Sequence, residues 1–165
     1  MTRNFLSASL RALALATSLT AVLAPSAWAF DESSTAAVNV DAQSLALRGH
    51  DVVAYFLDGA PRLGTAAFTA RHEGVEYRFA SAAHRDAFVA HPARYLPQFG
   101  GFCAMGVALG RKLDGDPTVW RVVDGKLYLN VTKEVQVKWL SDVPGHLKAA
   151  REQWPALQHR APRDL

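Results

Sequence analysis

The dipeptide Asp124-Gly125 constrains this chain more than any other feature. It separates two apolar-rich runs, Val119 to Val123 and Lys126 to Asn130. Asp-Gly supplies the positive φ angles of a two-residue turn, so the spacing predicts two antiparallel strands paired across it. A second hairpin is expected upstream. There Ala67 to Arg71 leads through His72-Glu73-Gly74 into Val75 to Phe79. Val75, Tyr77 and Phe79 alternate with Glu76 and Arg78, the pattern of a strand with one buried face.

Helical signals lie between and after the hairpins. Ser81 is placed to cap a helix over Ala82 to His91, with His84, Ala87, Phe88 and His91 on one stripe and Pro92 limiting its continuation. Asn130 or Thr132 can cap a helix running through Trp139. Asp142 can cap a last helix in which Leu147, Ala150 and Trp154 share one side. Strand pairs and helices alternate without βαβ spacing. The expected class is therefore α+β: a small single domain with two antiparallel β-hairpins packed against several short helices. No internal repeat is apparent along the chain.

Residues 1–29 have the parts of a secretory signal peptide. Arg3 and Arg11 give a basic start, Ala12 to Ala24 is a nearly unbroken apolar run, and Pro25 precedes the small-residue site Ala27-Trp28-Ala29. No Cys adjoins that site and no twin-Arg pair precedes it, so neither a lipid anchor nor folded export is expected. The expected location is the periplasm of a Gram-negative bacterium, as a secreted chain starting at Phe30. No second apolar stretch follows, so no membrane span is expected after signal removal.

Taking those 29 residues from 165 leaves 136, enough for one domain with a real core. The signal carries two of the 18 basic residues and none of the 15 acidic ones, which leaves +1. Nothing in that balance, and no Lys/Arg cluster, calls for nucleic acid. Phe30 to Ala46, rich in Asp, Ser, Thr and Ala, reads as a flexible leader. The domain spans 47–157, and 158–165 is read as a polar tail.

One cysteine, Cys103, remains in a chain expected in an oxidising compartment, where it has no internal disulfide partner. It follows Gly100-Gly101-Phe102 and stands at the expected mouth of a helix through Leu109. Paired glycines allow a tight turn or a close backbone approach. A helix mouth offers free N–H groups that lower a thiol pKa. Three readings stay open: a thiolate nucleophile, a metal ligand, or a buried apolar filler.

At this point the chain resembles a family. Gly49-His50-Asp51-Val52-Val53-Ala54-Tyr55-Phe56, Tyr77-Arg78-Phe79-Ala80-Ser81, Pro92-Ala93-Arg94-Tyr95, Gly100-Gly101-Phe102-Cys103-Ala104, Trp120 and Val123-Asp124-Gly125-Lys126-Leu127-Tyr128-Leu129-Asn130 occur in the order found in YHS-domain proteins. The likeness is to the exported bacterial subfamily related to YHS-domain selenoproteins. The resemblance implies a compact α+β fold and an exported location. The wider group handles metals through paired cysteines, in a pattern of Phe-Cys-Ser, two residues, then Cys. Here Ala80 and His84 replace those two cysteines, so a four-thiolate site is excluded. What the resemblance leaves is a mixed site of Cys103 with His84, His50 or His72, joined by Met105, suited to copper or zinc. The selenoprotein relatives imply instead a redox thiol at Cys103, which would need an external partner because no resolving Cys is present.

The remaining signals are slight. Asp114-Gly115-Asp116 lacks the rest of a calcium loop, and Asn130-Val131-Thr132 reads as capping before glycosylation. No Ser-His-Asp order, P-loop or dinucleotide fingerprint occurs. The leading expectation is an exported binding module centred on Cys103 that takes a soft transition metal. The second is a thiol oxidoreductase, the one enzymatic reading retained. The third is a structural or partner-binding domain with a buried Cys.

Overall fold

Asp124 and Gly125 take φ angles of 50° and 70°, and the strands on either side pair from Val123↔Lys126 outward. The turn is the one the dipeptide requires. In this computed structural model, which describes residues 31–165, it joins the second of two antiparallel hairpins. The signal-peptide expectation for residues 1–29 lies outside the described residues.

The chain runs through a 3-10 turn at Leu47–Gly49, α1 (Ala54–Leu57), β1 (Thr65–His72), β2 (Val75–Phe79), α2 (Ala82–Ala90) and α3 (Pro92–Tyr95). A second 3-10 turn at Gln98–Gly101 leads into α4 (Ala104–Ala108), β3 (Asp116–Val123), β4 (Lys126–Asn130), α5 (Lys133–Leu140) and α6 (Val143–Leu157). Among the described residues this is a small single-domain α+β arrangement of six helices and two two-stranded sheets, as the sequence leads one to expect.

The caps fall where the polar side chains predict them. Ser81 Oγ accepts from the His84 N–H at 3.2 Å, Thr132 Oγ1 from Val135 at 3.2 Å, and Asp142 Oδ1 from Gly145 at 3.0 Å. Each satisfies an N–H that the first helical turn leaves unpaired. Asn130, the alternative cap for α5, is instead buried at the end of β4. The first hairpin turns on Glu73-Gly74 alone, and His72 pairs with Val75 as a strand residue rather than standing in the loop.

The chain also contains an internal repeat that its sequence does not advertise. β1 starts at Thr65 and β3 at Asp116, 51 residues on. The same offset relates β2 to β4, α2 to α5, and the first residues of α3 and α6. It relates the bulges too, between Thr65 and Thr69 in one hairpin and between Asp116 and Trp120 in the other. Gly49, Gly59, Gly64 and Gly74 recur as Gly100, Gly110, Gly115 and Gly125, and Tyr77 recurs as Tyr128. Four of the six non-glycine residues with positive φ among the described residues also coincide: Arg48 with Phe99, at 50° and 53°, and Glu73 with Asp124, both at 50°. The domain is two copies of one turn–helix–hairpin–helix–helix unit.

The inner faces of the units carry the core. Val75, Tyr77 and Phe79 pack with Val52, Val53, Phe88 and Leu129. The Phe88 ring lies 4.9 Å from Tyr77 and 5.2 Å from Phe79, so truncating it to Ala would cost roughly 3–5 kcal/mol. Trp139, at the matching position of the second unit, stacks 5.4 Å from Tyr128.

One expectation is corrected. The segment expected to be a flexible leader is fastened to the domain. Leu45 and Ala46 are buried, the Asn39 N–H donates to the Gly100 carbonyl at 2.9 Å, and Ala46 N–H to Glu76 at 2.9 Å. Its polar composition hides Val38 and Val40, which pack against the core. The tail is held as well: Ala161 is buried, and the carbonyls of Gln158 and Arg160 accept from Lys112.

Candidate functional site

Pro97 ends one unit, and the turn after it is built from three left-handed residues in a row: Phe99 at φ 53°, Gly100 at 61° and Gly101 at 83°. Gly100 has two reasons to be glycine. Its φ disfavours a side chain, and a Cβ there would collide with the Ala37 carbonyl of the leader. Phe99 has no such freedom, so its conformation is strained for a bulky residue and must be held by its surroundings. Its ring sits 5.8 Å from Trp154 and 6.1 Å from Tyr128.

This turn delivers Cys103 to the N-cap of α4, as expected, but not to an accessible mouth. Cys103 is 0% exposed. Its backbone N–H donates to Leu113 at 2.9 Å, and it bridges to Leu129 of β4. Sγ accepts from the Gly106 N–H at 3.4 Å and donates toward Asn130 Oδ1 at 3.7 Å. Burial pushes the thiol pKa up from its ordinary 9.0, and the N–H groups of Gly106, Val131 and Met105 offset this only in part. The helix-mouth expectation of a lowered pKa fails for that reason: desolvating a thiolate outweighs the N–H groups of a five-residue helix.

The histidines offered as co-ligands are occupied elsewhere. His84 Nδ1 pairs with Asp51 Oδ2 at 2.7 Å, and its Nε2 faces Asp58 Oδ1 at 3.8 Å. His50 Nδ1 pairs with the Leu47 carbonyl at 3.1 Å, and burial pushes its pKa down. His72 lies 4.0 Å from Glu73 and edge-on to Phe88. Among the described residues no group of three or more His, Cys, Asp and Glu side chains stands together to hold a metal ion. Cys103, His84 and His50 belong to no such group, and each makes its hydrogen bonds separately from the others.

Three residues that the sequence did not single out as site residues matter here. Asp51 is fully buried. It accepts from Val53 N–H at 2.8 Å and Ala54 N–H at 3.3 Å through Oδ1, and from Ala80 N–H at 2.8 Å through Oδ2, which also meets His84. It ties α1 to the first hairpin and α2. Its place just before Val53-Ala54 was a legible capping signal. Lys112 is 1% exposed, and its ammonium donates to three carbonyls, Ala36 at 2.8 Å, Arg160 at 2.9 Å and Gln158 at 3.2 Å, over the Phe102 ring. Burial lowers its pKa to about 8. Asn130 is the third. Its Oδ1 takes the Met105 N–H at 3.4 Å as well as Cys103, while its Nδ2 is buried without a partner among the described residues.

A cavity of about 250 Å3 opens beside the strained turn. Ala37 and Val38 of the leader form one wall, Leu96 to Gly100 another, and Trp154 and Gln158 of the last helix and its cap a third, with Tyr77 beneath. The equivalent turn of the first unit is closed. There the Arg48–Asp114 ion pair borders a space of only about 10 Å3. Comparison with family models, with curated proteins and with solved structures finds no match for this chain.

Proposed function

We propose that the chain is an exported, non-catalytic binding module of the YHS kind in which Cys103 is a core residue and not a working thiol. The observation that carries this is the full burial of Cys103, with its sulfur hydrogen-bonded inside the fold and its pKa raised. A thiol acts as nucleophile or ligand through its thiolate, and this environment disfavours the thiolate and bars access to it. Of Gly100 and Gly101, which looked like the frame of a thiol site, Gly100 serves the docking of the leader and the rim of the cavity. Binding then belongs to the surface around the turn and not to the sulfur.

Mild peroxide treatment of the native protein, followed by mass spectrometry, tests this. Cys103 should remain unmodified, and rapid formation of a sulfenic acid would overturn the reading. Amino-terminal sequencing of the exported chain should read from Phe30; a start at Met1 would remove export from the account.

A further inference from the structure

The cavity beside the second glycine turn is held open by costly features. An ammonium is buried with no carboxylate partner among the described residues, and a bulky residue is kept in the left-handed region. Lys112 fastens the leader at Ala36, one residue before the wall formed by Ala37 and Val38. It fastens the carbonyl of Gln158, which lines the opposite wall. The Asn39 N–H on the Gly100 carbonyl fixes the leader to the turn itself. Both walls are thus set before anything binds, which lowers the ordering cost of binding. The first unit shows that the fold does not need such a space, because its equivalent turn is filled.

The lining identifies what would enter. No residue lining the cavity carries a charge at neutral pH, the Lys112 ammonium behind its walls being taken up by three carbonyls, and burial raises the Tyr77 pKa so that its hydroxyl stays neutral. An ionic ligand would lose its hydration with no counter-charge in the lining, so the site selects against ions. Phe99 and Trp154 present rings 65° apart, an edge-to-face arrangement that a third flat ring can extend. Gln98 and Gln158 border the same space, and neither side-chain amide has a hydrogen-bond partner among the described residues. They offer donors and acceptors to a polar edge. At about 250 Å3 the space falls below the roughly 300–1,000 Å3 of drug-sized sites, which limits the ligand to one ring.

The geometry points to a binding site for an uncharged, single-ring aromatic molecule with an amide- or phenol-type edge, in a cleft bordered by the leader, the Pro97–Gly100 turn and the last helix with its cap. This rests on the binding-module reading and names its ligand class.

Benzamide is the probe, with benzoate as its charged counterpart and cyclohexanecarboxamide as its non-planar one. Nuclear magnetic resonance titration of the purified chain should move the Trp154 indole N–H signal with benzamide and leave it in place with the other two. Val38→Phe, which fills the cavity from the leader side, should weaken benzamide at least about tenfold. Gln158→Leu, which keeps the carbonyl used by Lys112, should weaken it severalfold. No movement of the signal at about 10 mM benzamide, or equal binding of benzoate, overturns the proposal. Peroxide labelling of Cys103 is read separately. A silent cavity with a protected Cys103 removes the ligand class alone, whereas a reactive Cys103 removes the binding-module reading beneath it.

Discussion

The Asp51 carboxylate stands 2.7 Å from His84 Nδ1, and 51 residues further on the same two positions are held by Phe102 and Val135. The two units thus use these positions differently. The first uses a buried carboxylate that collects three N–H groups and an imidazole. The second uses apolar packing, with Phe102 against Val107, Ala150 and Leu157. A polar joint is secure only while every donor keeps its acceptor.

That dependence makes Asp51 the most sensitive polar residue of the first unit. Asp51→Ala leaves the N–H groups of Val53, Ala54 and Ala80 without their acceptor, and at about 1–3 kcal/mol per buried orphan the loss should be about 3 kcal/mol or more. Asp51→Asn keeps one oxygen for Val53 and Ala54 and should lose less. Urea unfolding of both variants checks the order; equal losses would contradict it.

Gly100 and Gly125 separate steric collision from backbone strain. Both have positive φ, but a Cβ at Gly125 meets nothing, while one at Gly100 runs into the Ala37 carbonyl. Gly125→Ala should cost roughly 1–2 kcal/mol, the left-handed penalty alone. Gly100→Ala should cost more and should free the leader, seen as faster proteolysis between Asp31 and Asn39. A leader equally protected in both variants would contradict the role given to Gly100.

Lys112 makes stability depend on alkaline pH, with a definite sign. Its folded pKa, about 8, lies below the ordinary 10.5, so between those values the unfolded chain binds more protons and stability rises with pH. The benefit is complete above 10.5 and lost as pH falls through 8, on the order of 3 kcal/mol at most. Cys103, Tyr55 and Tyr77 act in the opposite sense, since their raised pKa values lose stability as pH climbs past 9.0 and 10.0. Comparison with Lys112→Met isolates the lysine: the native chain should gain on the variant from pH 8 upward. A difference that is flat with pH would refute this.

Local chemistry was legible wherever it is local. Asp124-Gly125, Ser81, Thr132 and Asp142 act through residues three or fewer positions away, and their roles could be read directly. The internal repeat could have been found from the four glycines recurring at 51-residue spacing, but the side chains between them have diverged too far for periodicity to show it. The choice among the three readings of Cys103 was not legible, because reactivity there depends on desolvation by distant parts of the chain. Leu113 and Asn130 close over it, and no spacing around Gly100-Gly101 encodes that. Lys112 reads in sequence as an ordinary surface lysine. Its carbonyl acceptors lie 76, 46 and 48 residues away.

The central claim is that Cys103 belongs to the core, and its alkylation rate as a function of urea tests this most directly. A buried thiol reacts only when the fold opens, so the native rate at neutral pH should be far below that of free cysteine and should climb with urea as global unfolding does. A rate without urea that matches or exceeds that of free cysteine, and does not follow unfolding, would show an accessible, activated thiol and would contradict the account.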